Sequence, residues 1–249
     1  MKQAIDRAYK ELKLRYRFAC RQLGIERYQV HQICLPDYKL LYIPVPKNAC
    51  TSIKQALHYI EFGRLFDTSR DVHAAYTDIH DYYKKQPEAF TSINDLKEVK
   101  NLVRFAVVRD PLERLISCYR NRVVQLGDLH ADAGTLEKIN LPAEPDLNTF
   151  ILNLRKYRKA SKSIEHHSRP QSSFFGGTLA YLDHVFPIEK SDDLHEMLQE
   201  YSQGLKLLKR KSGGPKADFS DLSKKAQEHA IRFYQKDYKL LSNFYLPPL

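Results

Sequence analysis

Residues 40–59, LLYIPVPKNACTSIKQALHY, join an apolar run to an amphipathic one through one short polar turn, and this junction restricts the fold more than any other feature of the chain. Leu40 to Val45 is apolar and rich in strand-forming residues, the pattern of a buried strand. Pro46 ends it. Thr51 or Ser52 is placed to cap a helix carrying Ile53, Ala56, Leu57 and Ile60. A strand that turns directly into a helix aims several unpaired backbone N–H groups at one point, where the helix dipole favours an anion. Lys47 adds a positive charge, and Thr51 and Ser52 add hydroxyls, so the turn reads as a phosphate cradle. Taken alone, an ordinary strand–turn–helix with a surface lysine reads the same way. The glycines of G-x-x-x-x-G-K-[ST] are absent, so this is not the common nucleoside-triphosphate loop.

A second junction follows at 102–123. LVRFAVV is another buried-strand pattern, and it runs straight into Arg109-Asp110-Pro111. Asp110 suits an N-cap, Pro111 the first helical position, and Glu113 the third residue of a capping box. Leu112, Leu115, Ile116, Tyr119 and Val123 make the buried stripe, which leaves Arg114, Ser117 and Asn121 on the other side. Arg109 therefore leaves a strand end beside a helix N-terminus, with Ser117 about two turns further along. A guanidinium fork and a hydroxyl suit a second phosphate. The plainer alternative pairs Arg109 with a neighbouring carboxylate.

The rest of the chain is organised around these two points. Residues 1–24 read as a basic amphipathic helix ended by Gly24, with Ile5, Tyr9, Leu12, Tyr16, Ala19 and Leu23 forming one apolar seam. Such a helix docks on its own domain, or serves as a dimerisation arm or polyanion platform. Residues 25–249 read as a single α/β domain. In it we expect two strands across 26–45 and a helix over 72–85 that carries His73 and His80. A long loop over 127–148 and a helix from Asp146 to Tyr157 follow, then a polar, turn-rich stretch over 163–177 holding His166 and His167. A strand over 181–188, a helix from Ser191 and a last helix over 222–238 complete the order. The basic, glycine-bearing residues 209–216 read as a linker or as a flap closing on an anion.

At 249 residues, 43% hydrophobic and 28% charged, the chain has ample material for one core. No apolar run approaches the roughly 20 residues of a membrane span, and the first residues carry no apolar signal core. The four cysteines, Cys20, Cys34, Cys50 and Cys118, lack metal-ligand spacing. Together these point to a reducing, cytoplasmic setting. A net charge of +10 favours an anionic partner: nucleic acid, acidic polysaccharide, a membrane surface or a phosphorylated cofactor.

VPKNACTSIKQAL resembles the 5′-phosphosulfate loop, and FAVVRDPLERLISCYRNRV the 3′-phosphate motif, of the sulfotransferases that use 3′-phosphoadenosine 5′-phosphosulfate (PAPS). The second match includes the arginine-to-serine separation, here Arg109 to Ser117. Weaker similarity extends to HHSRPQ, LDHVFPIEKSDDL and AIRFYQKDYKLLSNF, so the resemblance spans about residues 38–245. The P-K-x-A-C-T-S form of the loop looks like the carbohydrate-modifying, Golgi or bacterial polysaccharide branch. The resemblance implies a P-loop-like three-layer α/β fold with a central, mostly parallel sheet flanked by helices, and a ligand across the strand C-termini. It implies that Lys47 contacts the phosphosulfate, that Asn48, Ala49, Cys50, Thr51 and Ser52 supply donors to the 5′ end, and that Arg109 and Ser117 hold the 3′-phosphate. The general base it implies is a histidine, His167 or His73, with His80 and Glu189 behind them. No metal is implied. The expected partners are PAPS, leaving as adenosine 3′,5′-bisphosphate, and a carbohydrate or other hydroxyl acceptor, an acidic glycan among them. Peripheral membrane contact and a homodimer are the remaining partner expectations; nucleic acid is not expected.

Two other functions compete. A P-loop kinase shares the strand–loop–helix architecture, but requires a glycine-rich loop and a Mg²⁺-holding aspartate that the sequence does not display. A non-catalytic polyanion-binding protein explains the charge but not two capped anion turns in order.

Overall fold

The computed structural model describes residues 29–68, 76–86, 90–92, 101–202 and 219–248. The expected N-terminal helix, His73, Cys20 and the 209–216 segment lie outside the described residues. The central sheet has the order β2 (Ile33–Leu35), β3 (Leu40–Ile43), β5 (Val103–Val108), β6 (His184–Pro187). β2 pairs antiparallel with β3, whereas β3–β5 and β5–β6 are parallel. β1 (Gln29–His31) pairs instead with β4 (Phe90–Ser92) in a separate two-stranded ribbon.

The apolar strands are buried on both faces because helices cover both. Successive residues of a strand point to opposite sides. Leu40, Tyr42, Phe105 and Val107 therefore pack with α1 (Cys50–Phe62), α2 (Ile79–Lys84) and α9 (Ser191–Gln199). Leu41, Ile43, Ala106 and Val108 face the other way, onto Phe175, Tyr181 and Leu241. This is the three-layer α/β arrangement with a mostly parallel sheet. A third cluster binds α3 (Pro111–Cys118) to α5 (Leu147–Leu152), α6 (Leu154–Ala160), α7 (Lys162–Ser168) and α10 (Lys224–Phe233).

Several local expectations are corrected. Neither Thr51 nor Ser52 caps α1: the N-cap is Ala49, in the left-handed region at φ 57° and without a side-chain cap. α2 starts only at Ile79, because the Asp78 carboxylate accepts from the N–H groups of His80 and Asp81 and fixes the first turn there. The supposed loop at 127–148 holds a short 3₁₀ turn and α4 (Ala133–Glu137), anchored by buried Leu129 and Leu136. The polar 163–177 stretch is largely helical, in α7 and α8 (Gln171–Phe174): Ser161 caps α7, and Ile164 is its buried anchor. The helix expected from Asp146 to Tyr157 breaks at Asn153, and the last helix divides at Tyr234 into α10 and α11 (Gln235–Leu240). After Cys118, α3 continues as one π-helical stretch to Gln125, a widening frequent at functional sites.

Candidate active site

Register brings the two anion turns together. Ile43 of β3 stands opposite Ala106 of β5, so Lys47 and Arg109, four and three residues on, leave the same end of the sheet side by side. Arg109 Nη1 donates to the Lys47 carbonyl oxygen at 3.4 Å. The side chain of Lys47 runs to Asn121, donating to Oδ1 at 2.7 Å, so the first loop reaches across to the helix that follows the second turn. Burial, together with Arg122 and Arg109 nearby, pulls the Lys47 ammonium below its ordinary lysine value.

The loop itself is strained and held. Lys47 at φ 71° and Ala49 at φ 57° both occupy the left-handed region, where a side chain costs on the order of 1 kcal/mol or more. Three buried groups fix that conformation. Asn48 is fully buried, and its amide donates to Val107 O at 2.8 Å and to Gln171 Oε1 at 2.7 Å. Gln171 also accepts from the Arg109 N–H (3.2 Å) and donates to the Arg109 carbonyl (2.7 Å). One amide thus braces both turns. The Asp237 carboxylate holds Gln171 in turn, accepting from the N–H groups of Gln171 and Ser172 at 2.7 and 2.8 Å.

Arg114 corrects the sequence reading most sharply. Its spacing puts it on the side away from the apolar stripe of α3, yet it is fully buried. Its Nε donates to the Pro46 carbonyl (2.9 Å), Nη1 to that of Arg169 (2.7 Å) and Nη2 to that of His167 (3.2 Å). A guanidinium spreads donors in a plane, so one side chain ties the start of the phosphate loop to the segment bearing His167. Arg109 does form the pair that the plainer reading anticipated, 3.5 Å from Glu113, whose carboxylate is therefore not spent on the capping box. Ser117 lies half-buried on α3, one turn beyond Glu113 and one turn before Asn121.

Around the loop the charge is lopsided. Glu113 pairs with Arg109 and Asp128 with Arg122, whereas Lys47, Lys54 and Arg114 meet amide, imidazole and carbonyl groups. With the donors of Arg114 spent on backbone carbonyls, Lys47 and Lys54 leave positive charge beside the loop that suits an anion. Thr51 and Ser52 sit in the first turn of α1, and Thr51 Oγ1 lies 2.9 Å from His80 Nε2. Among the described residues no cluster of His, Cys, Asp and Glu is arranged to hold a metal ion.

His167 stands one helix away from the loop. Its Nδ1 donates to the Ser163 carbonyl at 2.9 Å, the ordinary reach of a histidine at the end of a helical turn. Arg122 bonds Ser163 Oγ at 3.3 Å, and Ser163 also makes a short contact to Asp128. Burial, then Arg122, push the His167 imidazole down to about 3. Glu189 is exposed at the end of β6 and engages Tyr245, so it stands apart from the loop's own contacts. Arg114, Asn121, Gln171 and Asp237 were not assigned from sequence. The fragment HHSRPQ contained the one usable signal, Gln171.

The profile of the Sulfotransferase family matches residues 30–244. Carbohydrate sulfotransferase 11 of Danio rerio is 30% identical over 93 residues, which are 37% of this chain and 26% of that protein. The protein of the same name from Rattus norvegicus is 29% identical over 96 residues, 38% of this chain and 27% of its own length. The chain thus matches only about a quarter of these curated relatives. No solved structure matches significantly. No helix among the described residues is long and apolar enough to cross a membrane. The profile covers most of the chain and spans both anion turns, and the chain belongs to the sulfotransferase family.

Proposed function

We propose that the protein is a sulfotransferase that takes the sulfuryl group of PAPS and transfers it to a carbohydrate hydroxyl by in-line displacement. The observation that supports this reading is the 3.4 Å contact between Arg109 and the Lys47 carbonyl, because two turns side by side suit the two ends of one doubly phosphorylated nucleotide. The carbohydrate acceptor follows the name of the matched relatives, carbohydrate sulfotransferase 11, and the loop's P-K-x-A-C-T-S form.

PAPS, when bound, supplies an activated sulfuryl group whose transfer passes through a loose transition state, so positioning and charge do most of the work. Lys47 stabilises the charge that grows on the departing phosphate oxygen. The N–H groups at the start of α1, with the hydroxyls of Thr51 and Ser52, hold the 5′ end. Arg109 and Ser117 hold the 3′-phosphate. His167 is the general base within the described residues: with Nδ1–H committed to Ser163, the neutral ring keeps its lone pair on Nε2. The negative charge of a bound donor offsets Lys47 and Arg122, two of the groups that depress this imidazole, and so raises its basicity.

Isothermal titration with adenosine 3′,5′-bisphosphate tests the donor site, and incubation of a glycan panel with PAPS followed by mass spectrometry tests the transfer. Binding followed by a gain of about 80 Da on a glycan is the expected result, the net addition of SO₃ when a hydroxyl becomes a sulfate ester. An intact protein that ignores the bisphosphate overturns the assignment.

A further inference from the structure

α1 and α2 meet beside the phosphate loop through three side chains in a row. Thr51 and Lys54 are three residues apart on α1 and share the face that meets α2. His80 reaches between them, with Nε2 2.9 Å from Thr51 Oγ1 and Nδ1 3.2 Å from Lys54 Nζ. Its backbone is fixed, since the His80 N–H donates to the Asp78 cap at 2.7 Å. Lys54 is buried to within 3% of full coverage.

With Lys54 as an ammonium, which its burial opposes but Asp78 nearby favours, these contacts admit one arrangement of hydrogens. An ammonium has donors and no lone pair, so Lys54 donates and Nδ1 of His80 accepts. A neutral imidazole whose Nδ1 accepts carries its hydrogen on Nε2. The Thr51 oxygen then accepts from Nε2–H, and its own hydrogen is left to point elsewhere. We infer that Lys54 and His80 are positioning residues that commit the Thr51 hydroxyl to donate into the phosphate loop, converting a group able to donate or accept into a fixed anion donor. Burial and the Lys54 charge hold His80 at about 4, which keeps the ring neutral at neutral pH as the arrangement needs. The gain for a sulfotransferase is orientation: with Nε2–H bonded to the Thr51 oxygen, the hydroxyl hydrogen is left for an anionic oxygen at the 5′ site. This inference rests on the donor reading above for its ligand, but not for its hydrogens.

Two-bond ¹H–¹⁵N NMR of protein labelled in histidine reads the tautomer directly, with His80→Gln identifying the resonance. The Nε2–H tautomer at neutral pH is expected. A ring protonated on Nδ1, alone or with Nε2, overturns the inference whether or not the nucleotide binds. The second arm measures adenosine 3′,5′-bisphosphate affinity by calorimetry. Thr51→Val should weaken it about tenfold or more, and His80→Ala about two- to tenfold, the losses expected for a charge-assisted and a neutral hydrogen bond. His80→Gln, whose side-chain N–H can reach Thr51, should recover most of that loss and guards against simple misfolding of the alanine variant. In the Thr51→Val background His80→Ala should cost nothing more; additive losses overturn the inference. Wild-type protein that binds no bisphosphate overturns the donor reading instead, and the NMR arm alone then decides the relay.

Discussion

The guanidinium of Arg109 donates to the backbone carbonyl of Lys47, 62 residues earlier in the chain, and each residue stands at the head of its own anion turn. Parallel pairing of β3 with β5 brings the two turns side by side, since both strands end at the same height. Arg109 is also the residue whose role is easiest to isolate. Arg109→Ala should weaken adenosine 3′,5′-bisphosphate binding about 10- to 100-fold, the range for losing charge-assisted bonds to a phosphate. Adenosine 5′-phosphosulfate lacks the 3′-phosphate, so its affinity should fall far less. Calorimetric titration of both ligands against both proteins makes the comparison, and equal losses would place Arg109 elsewhere.

Glu113 competes for the same guanidinium. Its carboxylate is 47% exposed, so the pair contributes little to stability. Glu113→Gln should leave the melting temperature nearly unchanged and tighten bisphosphate binding up to about fivefold, the effect of removing one weak surface pair. The gain should shrink as salt is added.

Arg114 bears on stability rather than on ligand. Arg114→Met strands the carbonyls of Pro46, Arg169 and His167 in a buried site, and should cost at least about 3 kcal/mol. Arg114→Lys keeps the charge but cannot reach three carbonyls in a plane, so it should rescue little. Urea denaturation of the three proteins gives the ranking; a lysine variant as stable as wild type would refute the clamp.

Acid should destabilise the fold through its buried histidines. Burial comes first in holding His31 and His167 at about 3 and His80 at about 4, all below the ordinary value near 6.5. A histidine depressed in the folded state binds its proton more readily when unfolded. Its contribution is therefore complete above pH 6.5 and is lost as pH falls towards 3 or 4, on the order of 1 kcal/mol per histidine per pH unit. Chemical denaturation at pH 7 and pH 5 should show a loss that is smaller in His80→Gln, because one of the depressed histidines no longer titrates.

His167→Ala should lower turnover about 10²-fold or more, as for a lost general base, while bisphosphate affinity changes less than about threefold, within one neutral hydrogen bond. Parallel falls in both would mark His167 as a binding residue.

What the sequence disclosed and what it hid divide along a physical line. Both strands and both turns were legible because β-branched runs, Pro46, Asp110 and Pro111 act locally. The buried Arg114 was not: its spacing puts it opposite Leu112 and Leu115, and nothing local says that α7 will pack over that side. Helix α7 was missed for a related reason. KSIEHHS has one apolar anchor, Ile164, and its helical state depends on the Ser161 cap and on neighbours far along the chain. Thr51 was assigned as a donor but not its partners, since His80 approaches from another helix.

The bracing amide of Gln171 also bears on how the domain assembles. Asn48 and Gln171 are 123 residues apart, and Gln171 depends on Asp237 another 66 residues on. Contacts of such long sequence separation carry the largest loop-closure entropy and slow the search. A growing chain that has emerged only as far as Arg109 contains every residue of this loop, with Asn48 and its Val107 acceptor, but lacks Gln171 and Asp237, which complete the brace. The left-handed loop thus belongs to the finished domain, since its brace is complete only when the helix bearing Asp237 has docked.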